Sequence, residues 1–404
     1  MAVQAKRKAW ILTLITVVAV LLLAACKSSD ADEEEPVKQP TMLSIYVYTP
    51  DHPAVTRGDI GNVASDEDER TIHSLHIWVF THETTPRFVG YLNPEVTGLN
   101  SAQSAVYQML VPDWFTETKP NVDVYVMANV TSSNCGITLT PSAVTAPTPL
   151  DAAAIQENCF GLTAPTGNGP VIQTVPADGL PMSGVLIGQK VKGEAPVLRI
   201  VKDEDDTEMS KVTLVRAVSK IRFVFSKSSA NTQAFTINSI SLDAGVLPTT
   251  ENLFLDDAYT ARASKVGSSY NTSATTLVSE VSTINGCDNP ASFAVQANET
   301  GQNYEDRINK GISPTTPNTE PSLSELGRFY LRESDKKLTG TISYTVDGSA
   351  RNPVTFKMAA DGDFSRNHTW IVYAYFVGGD LLQVNTVDVK SWTEEQDNRE
   401  VYNW

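Results

Sequence analysis

The chain has 404 residues, 41% hydrophobic and only 19% charged, so it holds enough apolar material for two or three domain cores and is not disordered throughout. Abundant Thr, Ser, Val and Asn, with 23 Gly and 22 Pro, favour strands and turns and exclude a helical bundle or coiled coil. The 31 Lys and Arg against 47 Asp and Glu give a formal charge of −16, with no basic run long enough to follow a phosphate backbone, so nucleic acid is not an expected partner.

The N-terminus carries an address. Lys6, Arg7 and Lys8 form a basic start, Ala9 to Leu23 is apolar or Thr-containing, and the run ends in Leu23-Ala24-Ala25-Cys26. The run of about 15 residues is shorter than the roughly 20 a membrane-spanning helix needs. The pattern resembles a bacterial lipoprotein signal, with residues 1–25 removed and lipid attached to the Cys26 thiol. Residues 26–40, rich in Asp and Glu, then read as an acidic tether with nothing to bury. Cys135, Cys159 and Cys287 remain, an odd number for an exported chain; a Cys135–Cys159 bridge and three buried thiols are both compatible with the row.

Beyond residue 41, period-two alternation recurs. Leu43, Ile45 and Val47 share one face of Leu43–Thr49, Leu75, Ile77 and Val79 do so in Ile72–Thr81, and Val122, Val124, Val126 and Ala128 repeat the pattern. Further strands are expected over Val212–Phe225, Phe235–Leu242, Gly340–Val346, Pro353–Met358, Thr369–Val377 and Leu382–Val389. Asp347-Gly348 signals a tight hairpin, because a primed turn needs positive φ. Short helices are expected over Thr148–Cys159 and Ser322–Arg328. The fold class is all-β: two antiparallel β-sandwich domains in tandem, residues 41–205 and 206–404, divided at the charged stretch Val201–Glu208.

Motifs for chemistry are missing. No Gly-x-Ser-x-Gly elbow, His-Glu-x-x-His pair, phosphate loop or Cys-x-x-Cys occurs, so the expectation is no enzyme, no cofactor and no metal. Gly167-Asn168-Gly169 lacks the strand-to-helix setting of a dinucleotide loop. His73 and His76, three apart on a strand, face opposite ways, and His82 lies further on. The acidic runs Asp66–Glu69 and Asp203–Asp206 read as solvated loops, since neither has the spacing of a calcium loop. Arg57-Gly58-Asp59 matches a short adhesion tripeptide, a common chance match. Asn129, Asn271, Asn298 and Asn367 each begin an Asn-x-Ser/Thr triplet. Trp370, Tyr373, Tyr375 and Trp392 could build a carbohydrate platform, though their alternation fits core packing better.

Taken together, several segments resemble the Bacteroidetes fimbrillin family, lipoprotein precursors that build type V pili and related adhesins. They are the box at Cys26; Leu43–Thr49 followed by Ala54-Val55-Thr56-Arg57 and Ile72–Phe80; Leu180-Pro181-Met182-Ser183-Gly184 leading into Leu214-Val215-Arg216-Ala217-Val218-Ser219-Lys220-Ile221; and Arg366-Asn367-His368-Thr369-Trp370 with Val387–Trp392 and Val401-Tyr402-Asn403-Trp404. The resemblance implies transthyretin-like sandwiches. It also implies a precursor lipid-anchored at the outer membrane, cut by an Arg-specific protease and then assembled into a cell-surface fimbrium. Arg57 is the expected cleavage site, with Arg70 nearby as the alternative. Leu43, Ile45 and Val47 would belong to the displaced strand, and Val387, Val389, Trp392, Val401 and Trp404 to the donor strand that fills the vacated groove of a neighbouring subunit. Partners would be other fimbrial subunits, the protease, the membrane through lipid, and a host or bacterial surface ligand. Stalk, tip and anchor roles are alternatives within the family. A lipid-anchored glycan-binding surface protein is the alternative outside it.

Overall fold

The computed structural model describes residues 39–49, 69, 71–102, 104–140, 142–151, 154–155, 171–172, 175–203, 207–249, 251–254, 269–279, 282–297, 299, 301–314, 319–358, 364, 366–379, 381–389 and 401–403. Cys26, Arg57, Arg70, Cys159, Trp392 and Trp404 lie outside that set.

Among the described residues the first half is built chiefly from β1 (Met42–Tyr48), β2 (Leu75–Thr81), β3 (Phe88–Leu92), β4 (Ser104–Leu110), β5 (Val122–Ala128), β6 (Met182–Glu194), β7 (Val197–Val201) and β8 (Lys211–Thr213), with the short stretch Val215–Arg216 pairing onto the start of β6. β4, β1, β7 and β8 form one layer, and β3, β2 and β5 the other. β6 serves both, pairing with β5 through its first part and with β7 through its last. Gly188 (φ +67) sits where β6 passes between layers, a conformation that costs a residue with a Cβ more than it costs glycine. Its N–H donates to Asp123 Oδ1 at 2.8 Å. Between the layers lie Leu43, Ile45 and Val47 with Ile77, Val79, Val124 and Val126, the faces that period-two alternation assigned inward, together with Leu198, Ile200 and Val212.

The second half holds β9 (Ser219–Ser228), β10 (Phe235–Leu242), β11 (Ser324–Leu331), β12 (Leu338–Val346), β13 (Val354–Met358), β14 (Thr369–Gly378), β15 (Leu381–Val389) and β16 (Val401–Asn403). One sheet runs β16-β15-β14-β9-β11; the facing one contains β10, β12 and β13. Phe223, Phe225, Ile237, Ile342, Val372 and Phe376 fill the core between them, and Phe235 stacks on Phe376 with centroids 4.8 Å apart. Asp347 and Gly348 both have positive φ (50 and 74), the primed turn expected after β12.

The chain is all-β, with four departures from expectation. Parallel pairs interrupt the antiparallel ladders: β1 with β7 and β8, and β9 with β14. The expected helix at Thr148–Cys159 is a single turn, Thr148–Asp151, after which Ala154–Ile155 pairs with Glu251–Asn252. The expected helix at Ser322–Arg328 is strand β11: it ladders onto β9, and Phe329 and Leu331 enter the core. A helix with no sequence forecast, Gly301–Ile312, lays Tyr304 and Ile308 over the outer face of β9 and β14. Among the described residues no helix is long and apolar enough to cross a membrane.

From Pro40 onward the chain is one compact unit. Buried polar contacts cross between the two halves, and segments picked out by sequence supply them. The Ala217 N–H donates to the Pro181 carbonyl at 2.9 Å. Within the second half, Arg366 donates to the carbonyls of Leu253 (2.8 Å) and Asn252 (2.7 Å) and pairs with Glu251 (2.6 Å) and Glu333 (2.7 Å). Glu69, expected in a solvated acidic loop, is instead buried at 3% exposure, because Lys220 and Tyr330 of the second half receive its carboxylate.

Candidate functional site

The candidate site is β1. β4 pairs antiparallel along its whole length, from Met42↔Leu110 to Tyr48↔Ser104. On the other edge β7 takes Met42–Ser44 and β8 takes Tyr46–Tyr48, both parallel, so two short strands share that edge end to end. Backbone bonds close both ends: Met42 N–H to the Pro196 carbonyl (2.8 Å), Val111 N–H to the Thr41 carbonyl (3.0 Å), and Leu214 N–H to the Tyr48 carbonyl (2.8 Å).

Leu43, Ile45 and Val47 are at most 1% exposed. Each is worth about 1.5–3 kcal/mol of burial, and losing β1 would also leave the facing backbone groups of β4, β7 and β8 unpaired. The opposite face of β1 is half-exposed at Met42, Tyr46 and Tyr48, while Ser44 is buried. There Met42 stands between Leu110 and Val197, Tyr46 stands beside Val106, and Lys211 Nζ lies 5.7 and 5.9 Å from the Tyr46 and Tyr48 rings. Leu110, Val106 and Val197, at 60%, 52% and 48% exposure, make this an amphipathic three-strand surface.

The expected donor residues fall into three groups. Val387 and Val389 stand opposite Ile371 and Thr369 in the β14–β15 ladder. Leu382 and Val384, at the start of the same strand, belong to the chain's own second core. Val401 opens β16, the outermost strand of its sheet, held to β15 by the register Asn385↔Asn403 to Val387↔Val401. Trp392 and Trp404 lie outside the described residues. The strands thus divide into a core-forming start of β15 and a lightly paired terminal strand.

Other residues singled out by sequence have local partners. His76 Nδ1 lies 2.8 Å from the Tyr91 hydroxyl, and burial lowers the imidazole's pKa. His82 Nδ1 lies 2.8 Å from Asp123 Oδ1. Trp370 and Tyr373 are buried at 1% and 0%, so they offer no carbohydrate face; the Tyr373 hydroxyl donates to the Pro290 carbonyl at 2.7 Å. Asn129 is buried with its amide engaged, and Asn271 donates to the carbonyl of Ser273 (2.7 Å) and accepts from Leu247 N–H (2.9 Å). Cys135 and Cys287 are buried free thiols, both raised in pKa by burial.

No family model and no curated protein matches the chain. Solved structures similar to it include two from Parabacteroides distasonis ATCC 8503. One has TM-score 0.47 and 14% identity, covering 89% of this chain and 99% of that one. The other, a fimbrial assembly protein, has TM-score 0.46 and 14% identity, covering 90% and 99%. A tip fimbrial protein from Porphyromonas gingivalis with C-terminal truncation has TM-score 0.39 and 11% identity, covering 91% and 100%.

Proposed function

We propose that the chain is an exported structural subunit of a cell-surface filament, a pilin of the fimbrillin type that polymerises by strand exchange and serves adhesion. One observation carries this reading: β1 lies inside a sheet, bonded on both edges, yet joins the rest of the fold covalently only through the 50–68 connection. A cut there, at Arg57, turns β1 from part of the chain into a bound peptide. Its departure leaves a groove lined by Ile77, Val124 and Leu198 and flanked by unpaired strands.

A replacement must alternate apolar residues and run in the direction of β1, antiparallel to β4 and parallel to β7 and β8. The terminal segment of a second copy offers two candidate stretches, Leu382–Val389, where Val387 and Val389 alternate with Asp388, and Val401–Trp404, separated by a run that is polar apart from Trp392. Head-to-tail insertion does not close on itself, so the product is a filament. In this reading Cys26 carries lipid that holds the precursor at the outer membrane until the cut releases tether and strand together.

The test is incubation of the purified precursor with an Arg-specific endopeptidase. Cleavage near Arg57 followed by a ladder of denaturant-resistant multimers is the expected result. A chain that is cut, loses β1 and stays monomeric at high concentration overturns it.

A further inference from the structure

The residue just before the second arginine of the processing region is locked in place. Glu69 Oε2 lies 3.0 Å from Lys220 Nζ, and its Oε1 accepts from the Tyr330 hydroxyl at 2.5 Å. The Arg216 guanidinium donates from Nε to the Glu69 carbonyl at 2.9 Å. Glu69, Lys220, Arg216 and Tyr330 are 3%, 3%, 6% and 2% exposed, so this acidic residue is anchored inside the second half of the fold. A buried carboxylate is tolerable only with such partners.

The chain downstream is held equally firmly. Asn129 Nδ2 donates to the Thr71 carbonyl at 2.9 Å, and Asn129 Oδ1 accepts from His73 N–H at 2.7 Å. The Asn100 amide binds both backbone groups of Ile72, at 2.8 and 2.7 Å, and the Ile72 side chain is 1% exposed. A protease needs several residues on each side of the scissile bond in extended, unpaired form. Here residue 69 and residues 71–73 have their backbone or side chains committed elsewhere, so cutting between them requires local opening of the fold.

We propose that the Glu69 anchor sets the downstream limit of processing. An Arg-directed endopeptidase that opens the 50–68 connection leaves the Arg70–Thr71 bond intact in the folded chain, and the mature subunit keeps Glu69 as the clip joining its new N-terminal segment to the second half. The inference rests on the reading that this connection is processed, but it concerns only which bond is reached. Hydrolysis at either arginine is the same step: water adds hydroxyl to the arginine carbonyl carbon, the amide C–N bond breaks, and a proton goes to the released amine. Selection therefore lies in access.

The experiment uses the full chain carrying Arg57→Ala, treated with an Arg-specific endopeptidase in buffer and in urea, with new N-termini quantified by mass spectrometry. The expected result is a terminus at Thr71 in urea and protection of at least about 100-fold in buffer. In Glu69→Gln and Tyr330→Phe backgrounds that protection should fall, by about tenfold or more for the first and less for the second. Cleavage after Arg70 in buffer within about threefold of the urea rate overturns the proposal, whether or not the anchor variants fold. Protection unchanged in a folded Glu69→Gln chain overturns the role of the anchor. Failure of the cut chain to polymerise would count against strand exchange and leave the cleavage map standing.

Discussion

Ile45 of β1 stands opposite Tyr107 of β4, and its side chain, 1% exposed, points into the first core. Replacing it with Asp would set a carboxylate in the apolar cluster that holds Leu43, Val124 and Leu198. Ile45→Asp is expected to prevent accumulation of folded precursor, and Ile45→Ala to destabilise it by about 2–5 kcal/mol. Tyr46→Ser, one residue along and on the half-exposed face, should cost only about 0.5–1 kcal/mol, mostly the loss of the Lys211 contact. Urea denaturation midpoints of the variants decide this, and equal costs at residues 45 and 46 would mean that β1 is not seated in this register.

The C-terminal strands should separate into a structural part and an assembling part. Truncation after Trp392 removes the pairs Asn385↔Asn403, Thr386↔Tyr402 and Val387↔Val401, which lie at a sheet edge. The truncated chain is expected to melt within a few degrees of the full one and to form no ladder after Arg-specific cleavage. Val384→Asp, in the second core, should lose the fold instead. Ladders from the truncated chain would rule out the terminal segment as donor.

The strands were legible in sequence where the period is local. β10 spans Phe235–Leu242 as the alternation of Phe235, Ile237, Ile240 and Leu242 suggests, with the slip between Ile237 and Ile240 taken up by a bulge. β1 and the Asp347-Gly348 turn were readable for the same reason. β11 was misread because Glu325 and Arg328, three apart and ion-paired, imitate a helical pair, while Gly327 hides the alternation that brings Phe329 inward. The Gly301–Ile312 helix carried a usable signal in the spacing of Tyr304 and Ile308, masked by Gly301 and Gly311. At the site, the inner face of β1 was visible but its neighbours were not: β7 and β8 come from far along the chain, and parallel register leaves no local mark. Glu69 was illegible because its burial depends on Lys220 and Tyr330, 151 and 261 residues away.

Asn129 has φ +58, in the left-handed region that asparagine tolerates better than most residues. Its Nδ2 donates to the Thr71 and Leu180 carbonyls, both at 2.9 Å, and its Oδ1 accepts from His73 N–H. Asn129→Gly keeps the backbone but abandons these groups, and should cost about 2–4 kcal/mol; Asn129→Ala should cost more, because it adds backbone strain. Chemical denaturation gives both values. The same burial predicts that expression in a glycosylating host leaves Asn129 unmodified in the folded protein, which intact-mass analysis reads directly.

Arg222 donates from Nε to Glu325 Oε1 at 2.7 Å, and Arg328 Nε donates to the same oxygen at 3.0 Å. Burial alone would raise the Glu325 pKa, but Arg222 and then Arg328 outweigh it and hold the carboxyl below its ordinary value of 4.5. A carboxylate with a depressed folded pKa contributes stability that is present above the unfolded value and lost as pH falls through the folded one. Glu325→Gln should therefore melt below wild type at pH 7, and the gap should narrow as pH falls below 4.5, once wild-type Glu325 becomes protonated as well. Melting curves of the two chains between pH 7 and pH 3 test this. A gap that stays constant, or widens toward acid, would show that the Arg222 pairing adds no charge-dependent stability.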